Sequence, residues 1–98
     1  MTSLKTDDLF SVAGKVVLVT GGSRGIGEMI AAGYLANGVK VYISSRKADQ
    51  CNATAARLAD TYGGECISLP ANLADLAGID SLTAQLRERE DHLDFLVN

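Results

Sequence analysis

A cluster of glycines directly after a short apolar run constrains this chain more than any other feature. The apolar run is 16–19 (Val-Val-Leu-Val), and a helical pattern of apolar residues begins within the cluster. Glycine permits positive φ angles and close approach of the backbone to a ligand, and the first amides of a helix carry unpaired N–H donors at the positive end of its dipole. The pattern predicts a strand, a loop and a helix that together bind an anion such as a dinucleotide pyrophosphate. The glycines are Gly21, Gly22, Gly25 and Gly27.

The spacing of these glycines is G-x-x-x-G-x-G, which differs from the dinucleotide fingerprint G-x-G-x-x-G. It also differs from the phosphate loop of ATPases and GTPases, which requires Lys and then Ser or Thr after its last glycine. Here Gly27 is followed by Glu28 and Met29. The spacing therefore argues against an ATPase or a GTPase.

Residues 20–27 resemble the T-G-x-x-x-G-[IL]-G signature of the short-chain dehydrogenase/reductase family. Within that family, residues 14–27 together with Ser45-Arg46 are most similar to the 3-oxoacyl-carrier-protein reductases, the rhamnolipid-biosynthesis type in particular. The resemblance covers residues 10–98, which is less than half of a complete member. It implies cofactor contacts in and beside the glycine loop at Gly21, Ser23, Arg24, Gly25, Ile26 and Gly27.

Apolar periodicity along the chain predicts strands that alternate with helices. The expected strands are 16–20, 39–44, 66–69 and 93–97, and Asn-Gly and Gly-Gly pairs at 37–38 and 63–64 end the first two helices. Each helix carries an apolar stripe expected to face the sheet. The stripe residues are Ile26, Met29, Ile30, Gly33 and Tyr34 in the first helix, Cys51, Ala55, Leu58 and Tyr62 in the second, and Ile79, Leu82 and Leu86 in the third.

This alternation predicts an α/β fold, the amino-terminal half of a Rossmann-type doubly wound parallel sheet. Three right-handed crossover helices joining four strands give the spatial order 3-2-1-4, with the first two helices on one face and the third on the other. The glycine loop then lies beside the topological switch point, where open α/β sheets bind ligands. Residues 1–13 are expected to form a tail and residues 14–98 a partial NADP(H)-binding domain.

The residues after the second strand favour NADP(H) over NAD(H). By the family resemblance, Ser45 stands where NAD-preferring members carry Asp, and Arg46 follows it. An Asp would repel a ribose 2′-phosphate, whereas an Arg can bind it through two parallel N–H donors and a Ser can add a hydroxyl donor. Arg24 is the expected second clamp. The alternative for Arg46 is a solvated residue at the start of a helix.

Two further positions match the family pattern. Asn72-Leu73 stands where the family usually has Asp and a small apolar residue, which contact adenine through the side chain and the backbone amide. We expect the Asn72 oxygen to accept from the adenine amino group; the alternative is a loop Asn that caps local backbone. Asn98 corresponds to the first Asn of the family's N-N-A-G segment.

No catalytic residue is expected in this chain. The family uses a downstream Ser, a Tyr-x-x-x-Lys pair and usually an Asn, but the three tyrosines here are followed four residues later by Gly, Arg and Cys. His92 has no orienting partner in the sequence, and no metal site is indicated around it. The charged run 87–91 is expected to solvate a helix face.

Composition limits the partners. A net charge of −3 argues against sequence-independent nucleic-acid binding, and no apolar run approaches the length of a membrane span. Cys51 and Cys66 lack metal-ligand spacing and are expected to be reduced packing residues. With no signal peptide visible, these features favour a cytoplasmic location.

We therefore expect the coenzyme-binding half of an NADP(H)-dependent carbonyl or 3-oxoacyl reductase, without its catalytic half. A fourth strand with an unpaired outer edge suggests a segment of a longer polypeptide. The resemblance implies a small carbonyl or alcohol substrate and a homo-oligomer for the full-length protein. The alternatives are a non-enzymatic NADP(H)-binding module and an inactive fragment.

Overall fold

The computed structural model describes residues 14–21 and 25–97, which form one parallel sheet with helices on both faces. The predicted tail 1–13 and the predicted contacts Ser23, Arg24 and Asn98 lie outside the described residues. The elements are β1 (Val16–Thr20), α1 (Gly25–Ala36), β2 (Lys40–Ser44), α2 (Ala48–Tyr62), β3 (Cys66–Ser68), α3 (Leu76–Arg89) and β4 (Phe95–Val97).

The sheet has the strand order β3-β2-β1-β4, and every pair is parallel. The carboxyl ends of β1, β2 and β4 lie side by side, because Thr20 is in register with Ser44 and Val19 is in register with Val97. From β1 the chain adds β2 and β3 on one side of β1, and it then crosses the sheet to add β4 on the other side of β1. The direction in which strands are added therefore reverses at β1. The predicted Rossmann-type topology is confirmed.

Three strands are shorter than predicted, for local reasons. The amide of Val39 donates to the carbonyl of Tyr34 at 3.1 Å, so Val39 belongs to the turn that closes α1. Leu69 still donates its amide to the carbonyl of Ile43 at 2.9 Å, but the regular strand ends at Ser68, two residues before Pro70. Before β4, the carboxylate of Asp94 accepts from the amide of Val16 at 2.8 Å, so a side chain replaces a backbone acceptor.

Two buried clusters, one on each face of the sheet, hold the layers together. Side chains of successive strand residues point to opposite faces, so β1 and β2 contribute to both clusters. The first cluster contains Val17, Val19, Val41 and Ile43 of the sheet and Ala31, Leu35, Cys51, Ala55 and Leu58 of α1 and α2. The second contains Val16, Leu18, Tyr42, Leu69 and Leu82 of α3. The predicted placement of the helices on the two faces is confirmed.

The predicted apolar stripe of α1 is partly wrong. Ile26 and Met29 are 76% and 72% exposed, whereas Ala31 and Leu35 are buried. At 100° per residue, Ile26 and Met29 lie on the side of α1 opposite Ala31, away from the sheet. The small Ala31 faces the sheet because it allows a close approach of helix and strand.

Two other stripe residues are less buried than the periodicity predicted. Tyr62, in the last turn of α2, is 45% exposed. Ile79 is 43% exposed on the α3 face, where only part of the sheet is covered. The predicted packing role of Cys51 is confirmed by its complete burial, and burial also raises the pKa of the Cys66 thiol to about 11.

Glu90 corrects the expectation that the charged run 87–91 solvates a helix face. Its side chain is 12% exposed and lies 2.6 Å from the Lys40 ammonium, and it accepts a hydrogen bond from the Tyr42 hydroxyl at 2.5 Å. The hydrogen bond from Lys40 and, after it, the one from Tyr42 hold the pKa of the Glu90 carboxyl below its ordinary value of 4.5. The end of α3 is therefore pinned to the first half of β2.

Because of this pairing, we expect the stability of the fold to decrease at acid pH. A carboxyl whose pKa is lowered by folding stabilises the folded state above pH 4.5 and loses that contribution as the pH falls through the lowered pKa. We expect Glu90→Gln to lower the free energy of unfolding at pH 7 by about 1 kcal/mol and to flatten its decrease below pH 4.5. Urea denaturation followed by circular dichroism between pH 7 and pH 3 measures both effects.

The matched control is Glu88→Gln, two residues earlier. Glu88 is exposed, and its carboxylate has no ion-pair partner within residues 14–21 and 25–97. The control is expected to leave the free energy of unfolding within about 0.5 kcal/mol of wild type. Equal pH profiles for the two variants would contradict the role assigned to Glu90.

The turn into α1 generates a second prediction, on glycine conformation. Gly25 has a φ of +64°, whereas Gly33, inside the same helix, has an ordinary helical conformation and open space where a Cβ atom would be added. We expect Gly25→Ala to destabilise the fold by about 1 to 2 kcal/mol and Gly33→Ala to stabilise it by up to about 1 kcal/mol. Thermal denaturation of the two variants checks the opposite signs; a loss of stability in both would refute the conformational explanation.

Candidate functional site

The carboxyl edge of the sheet brings together the loops that the sequence singled out. The amide of Gly21 donates to the carbonyl of Ser44 at 2.7 Å, which joins the glycine turn to the end of β2. The amide of Ala71 donates to the carbonyl of Ser45 at 3.0 Å, which joins the loop after β3 to the same segment. Three separate stretches of the chain are therefore linked by backbone hydrogen bonds at one edge.

The glycine turn uses the conformational freedom that glycine provides. Gly21 and Gly25 have φ angles of +72° and +64°, which other residues rarely adopt. Gly25 is also the first residue of α1, so the amino terminus of that helix begins at the turn. Ile26 is exposed and Gly27 is half-buried beside it. Backbone amides at the start of a helix attract anions.

An acidic residue lies close to this helix terminus and is paired. Glu28 lies in the first turn of α1, and its carboxylate accepts from the Arg57 guanidinium of α2 at 2.7 Å. The pair offsets a negative charge near the positive end of the α1 dipole. It also joins α1 to α2 across the same face of the sheet.

The segment after β2 carries the residues predicted to choose the cofactor. The hydroxyls of Ser44 and Ser45 are buried and have no hydrogen-bond partner among the residues that the structure describes. Arg46 and Lys47 follow and are exposed, and Lys47 precedes α2 without a side-chain cap. Buried hydroxyls are normally hydrogen-bonded, so this edge has polar groups whose partner the described chain does not supply.

The loop after β3 presents Asn72 and Leu73 at the same edge. The Asn72 Oδ1 atom accepts from the amide of Ala74 at 3.0 Å, which is the local backbone bond that the sequence left open as an alternative. Because a carbonyl oxygen has two lone pairs, this bond leaves one lone pair for the predicted adenine contact. Leu73 is half-buried and packs against the second buried cluster, which includes Leu82 of α3.

His92 lies away from this edge, in the segment that precedes β4. Its Nε2 atom is 3.2 Å from the Asp94 carboxylate, and its side chain is 63% exposed. In residues 14–21 and 25–97, no three His, Cys, Asp or Glu side chains are grouped to hold a metal ion. No helix in this part of the chain has the length and apolar character to cross a membrane.

A groove beside α3 was missed by the sequence analysis. It has a volume of about 660 Å³ and runs between α3, β1 and β4 from Thr20 toward His92. Its walls are largely apolar, and Leu96 is 60% exposed at its rim. The alternation of side chains along β4 could have indicated this face, but its extent depends on how α3 crosses the sheet. The apolar lining residues are Leu18, Leu73, Ile79, Leu82, Leu86, Leu93 and Leu96.

Comparison with known proteins relates this arrangement to characterised relatives. The chain is 51% identical over 89 residues to the rhamnolipids biosynthesis 3-oxoacyl-[acyl-carrier-protein] reductase of Pseudomonas aeruginosa, covering 91% of this chain and 34% of the relative. It is 38% identical over 96 residues to a fatty acyl-CoA reductase of Acinetobacter baylyi, covering 96% and 32%. The chain thus spans about a third of the length of the curated relatives it matches.

Solved structures match the fold closely. The Pseudomonas aeruginosa RhlG/NADP active-site complex aligns with a TM-score of 0.86 and 50% identity, covering 91% of this chain and 35% of the other. The L-sorbose reductase of Gluconobacter frateurii, complexed with NADPH and L-sorbose, aligns with a TM-score of 0.84 and 30% identity, covering 88% and 33%. The family model described as short chain dehydrogenase matches residues 15–98. On this match, the chain belongs to the short-chain dehydrogenase family.

Proposed function

We propose that residues 14–98 form the coenzyme-binding segment of an NADP(H)-dependent oxidoreductase. The observation that carries the proposal is the 2.7 Å hydrogen bond from Gly21 to Ser44. It holds a glycine turn suited to a pyrophosphate directly beside Ser45 and Arg46, a pair suited to a 2′-phosphate. An NADP molecule carries both anions, so one ligand would use both segments.

The unpartnered hydroxyl of Ser45 supports the fit of such a ligand. A buried hydroxyl without a hydrogen bond costs about 1 to 3 kcal/mol. A phosphate oxygen or a ribose hydroxyl would supply the missing partner, since the described chain offers none to this atom. The fit favours a polar ligand group at the end of β2.

Charge supports the phosphorylated cofactor over the unphosphorylated one. The first residues beyond β2 are Ser45 and then the exposed cations Arg46 and Lys47, so no carboxylate stands at position 45. A carboxylate there would accept from the hydroxyls of an unmodified ribose and would repel a 2′-phosphate. The two close structural relatives described above were solved with NADP or NADPH bound.

In this proposal the chain binds and orients the cofactor, and different residues contact different parts of it. The turn at Gly21 and Gly25 and the first residues of α1, Ile26 and Gly27, hold the pyrophosphate; Ser23 and Arg24, in the same loop, are proposed contacts as well. Ser45 and Arg46 hold the 2′-phosphate, Asn72 and Leu73 contact the adenine, and Asn98 is a further proposed cofactor contact. When bound, NADPH supplies a hydride to a carbonyl carbon.

For the whole protein we propose reduction of a carbonyl group, such as that of a 3-oxoacyl substrate, in a cytoplasmic homo-oligomer. For the carbonyl reduction, the support is the 51% identity of this chain to a 3-oxoacyl-[acyl-carrier-protein] reductase of Pseudomonas aeruginosa. No Tyr-x-x-x-Lys pair occurs in the chain, so the proton-transferring groups of such a reaction would come from residues outside it.

Cofactor choice gives a direct test. We expect Arg46→Ala to weaken NADPH binding by about tenfold or more, because a charge-assisted bond to a phosphate is lost, and to change NADH binding less than about twofold. Titration of NADPH and NADH fluorescence against the chain measures both dissociation constants.

The control is Arg89→Ala, the same change at an exposed position in the last turn of α3. It is expected to leave both dissociation constants unchanged, because that turn lies at the opposite end of α3 from the loop after β3. Equal losses of NADPH and NADH affinity in Arg46→Ala would overturn the assignment of the 2′-phosphate site. Absence of NADPH binding to the wild-type chain would overturn the proposed function itself.

A further inference from the structure

The first turn of α3 packs directly on the backbone of the loop after β3. Gly78 is the third residue of α3, and a Cβ atom at this position would overlap the carbonyl oxygen of Asn72 and lie 2.6 Å from its carbonyl carbon. Contacts under 3.0 Å essentially never occur for real Cβ atoms, and backbone cannot rotate away as a flexible side chain can. Any other residue at position 78 would require the helix or the loop to move.

The same loop is held from other directions, so it has little freedom to yield. Its start is fixed by the hydrogen bond from Ala71 to Ser45, and its middle by the hydrogen bond from Ala74 to the Asn72 side chain. Its end is the cap of α3, where Asp75 Oδ1 accepts from the amide of Gly78 at 2.7 Å. A shift at Gly78 would therefore disturb bonds at both ends of the segment.

We propose that Gly78 is a positioning residue for the adenine half of the cofactor. Its missing side chain lets α3 close on the Asn72 carbonyl and fixes the segment 72–73 at the carboxyl edge of the sheet. Gly78 acts through that segment and touches no ligand itself. The inference rests on the proposed NADP(H) function and on the expected contact of Asn72 and Leu73 with adenine.

The direction of hydrogen bonds makes this role measurable. Adenine carries an amino donor at position 6, whereas hypoxanthine carries an oxo acceptor there, so a fixed loop distinguishes the two bases by hydrogen-bond geometry. A displaced loop loses that geometry. Loss of global stability, by contrast, weakens all nucleotides equally and leaves their ratio unchanged.

The experiment measures dissociation constants of NADPH and of reduced nicotinamide hypoxanthine dinucleotide phosphate by fluorescence, at a temperature where each variant is folded. For wild type we expect a preference for the adenine nucleotide. For Gly78→Ala we expect NADPH affinity to fall about tenfold and the preference to disappear, as the loss of one or two hydrogen bonds implies. The control Gly33→Ala, a helical glycine with open space around an added Cβ, is expected to match wild type.

A second pair of variants decides the matter if Gly78→Ala does not fold. Asp75→Ala removes the cap bond to Gly78, and Asp80→Ala makes the same change at an exposed position in the following turn. We expect Asp75→Ala to reduce the adenine preference by about threefold and Asp80→Ala to leave it unchanged.

The outcomes separate the two proposals. Wild-type binding of NADPH with unchanged affinity and preference in folded Gly78→Ala overturns the role of Gly78 and leaves the proposed function standing. If Gly78→Ala does not fold, an equal preference for the adenine nucleotide in Asp75→Ala and Asp80→Ala also overturns the role of Gly78. A wild-type chain without any base preference also overturns it, and a wild-type chain that does not bind NADPH overturns both proposals.

Discussion

The pairing of β1 with a strand on each side is the constraint on which the rest of the structure depends. Its register places Thr20 beside Ser44 and Val19 beside Val97, so the strands end at a common edge. Parallel strands need a crossover each, and the right-handed twist of the chain sends α1 and α2 to one face and α3 to the other. The candidate site exists because the loops leaving these strands meet at that edge.

The helix α3 connects the carboxyl end of the sheet with its amino end. At its end, Glu90 bonds Lys40 and Tyr42, and at its start Asp75 and Gly78 close on the loop after β3. A helix is stiff over this length, so a contact at one end limits movement at the other. Packing on the sheet therefore contributes to the shape of the site as well as to stability.

The groove beside α3 and the exposed Ile26 and Met29 of α1 show where the described chain leaves apolar surface uncovered. Leu96 at the groove rim belongs to β4, whose partner within residues 14–21 and 25–97 is β1 on one side only. Relatives are about three times as long as this chain. These surfaces are the ones where a covering element would bury apolar area.

Sequence alone determined the fold class, the strand order and the glycine turn. Apolar runs with β-branched residues and the glycine spacing are local signals, and they located β1 to the residue. The tertiary structure decided which residues of α1 are buried, because Ile26 and Ala31 are both apolar and only the crossing of helix and sheet distinguishes them. It also decided that Glu90 lies against Lys40 and Tyr42, since these partners lie far away in sequence. It decided the need for glycine at position 78 as well, since no local pattern encodes the close approach of the α3 backbone to the Asn72 carbonyl.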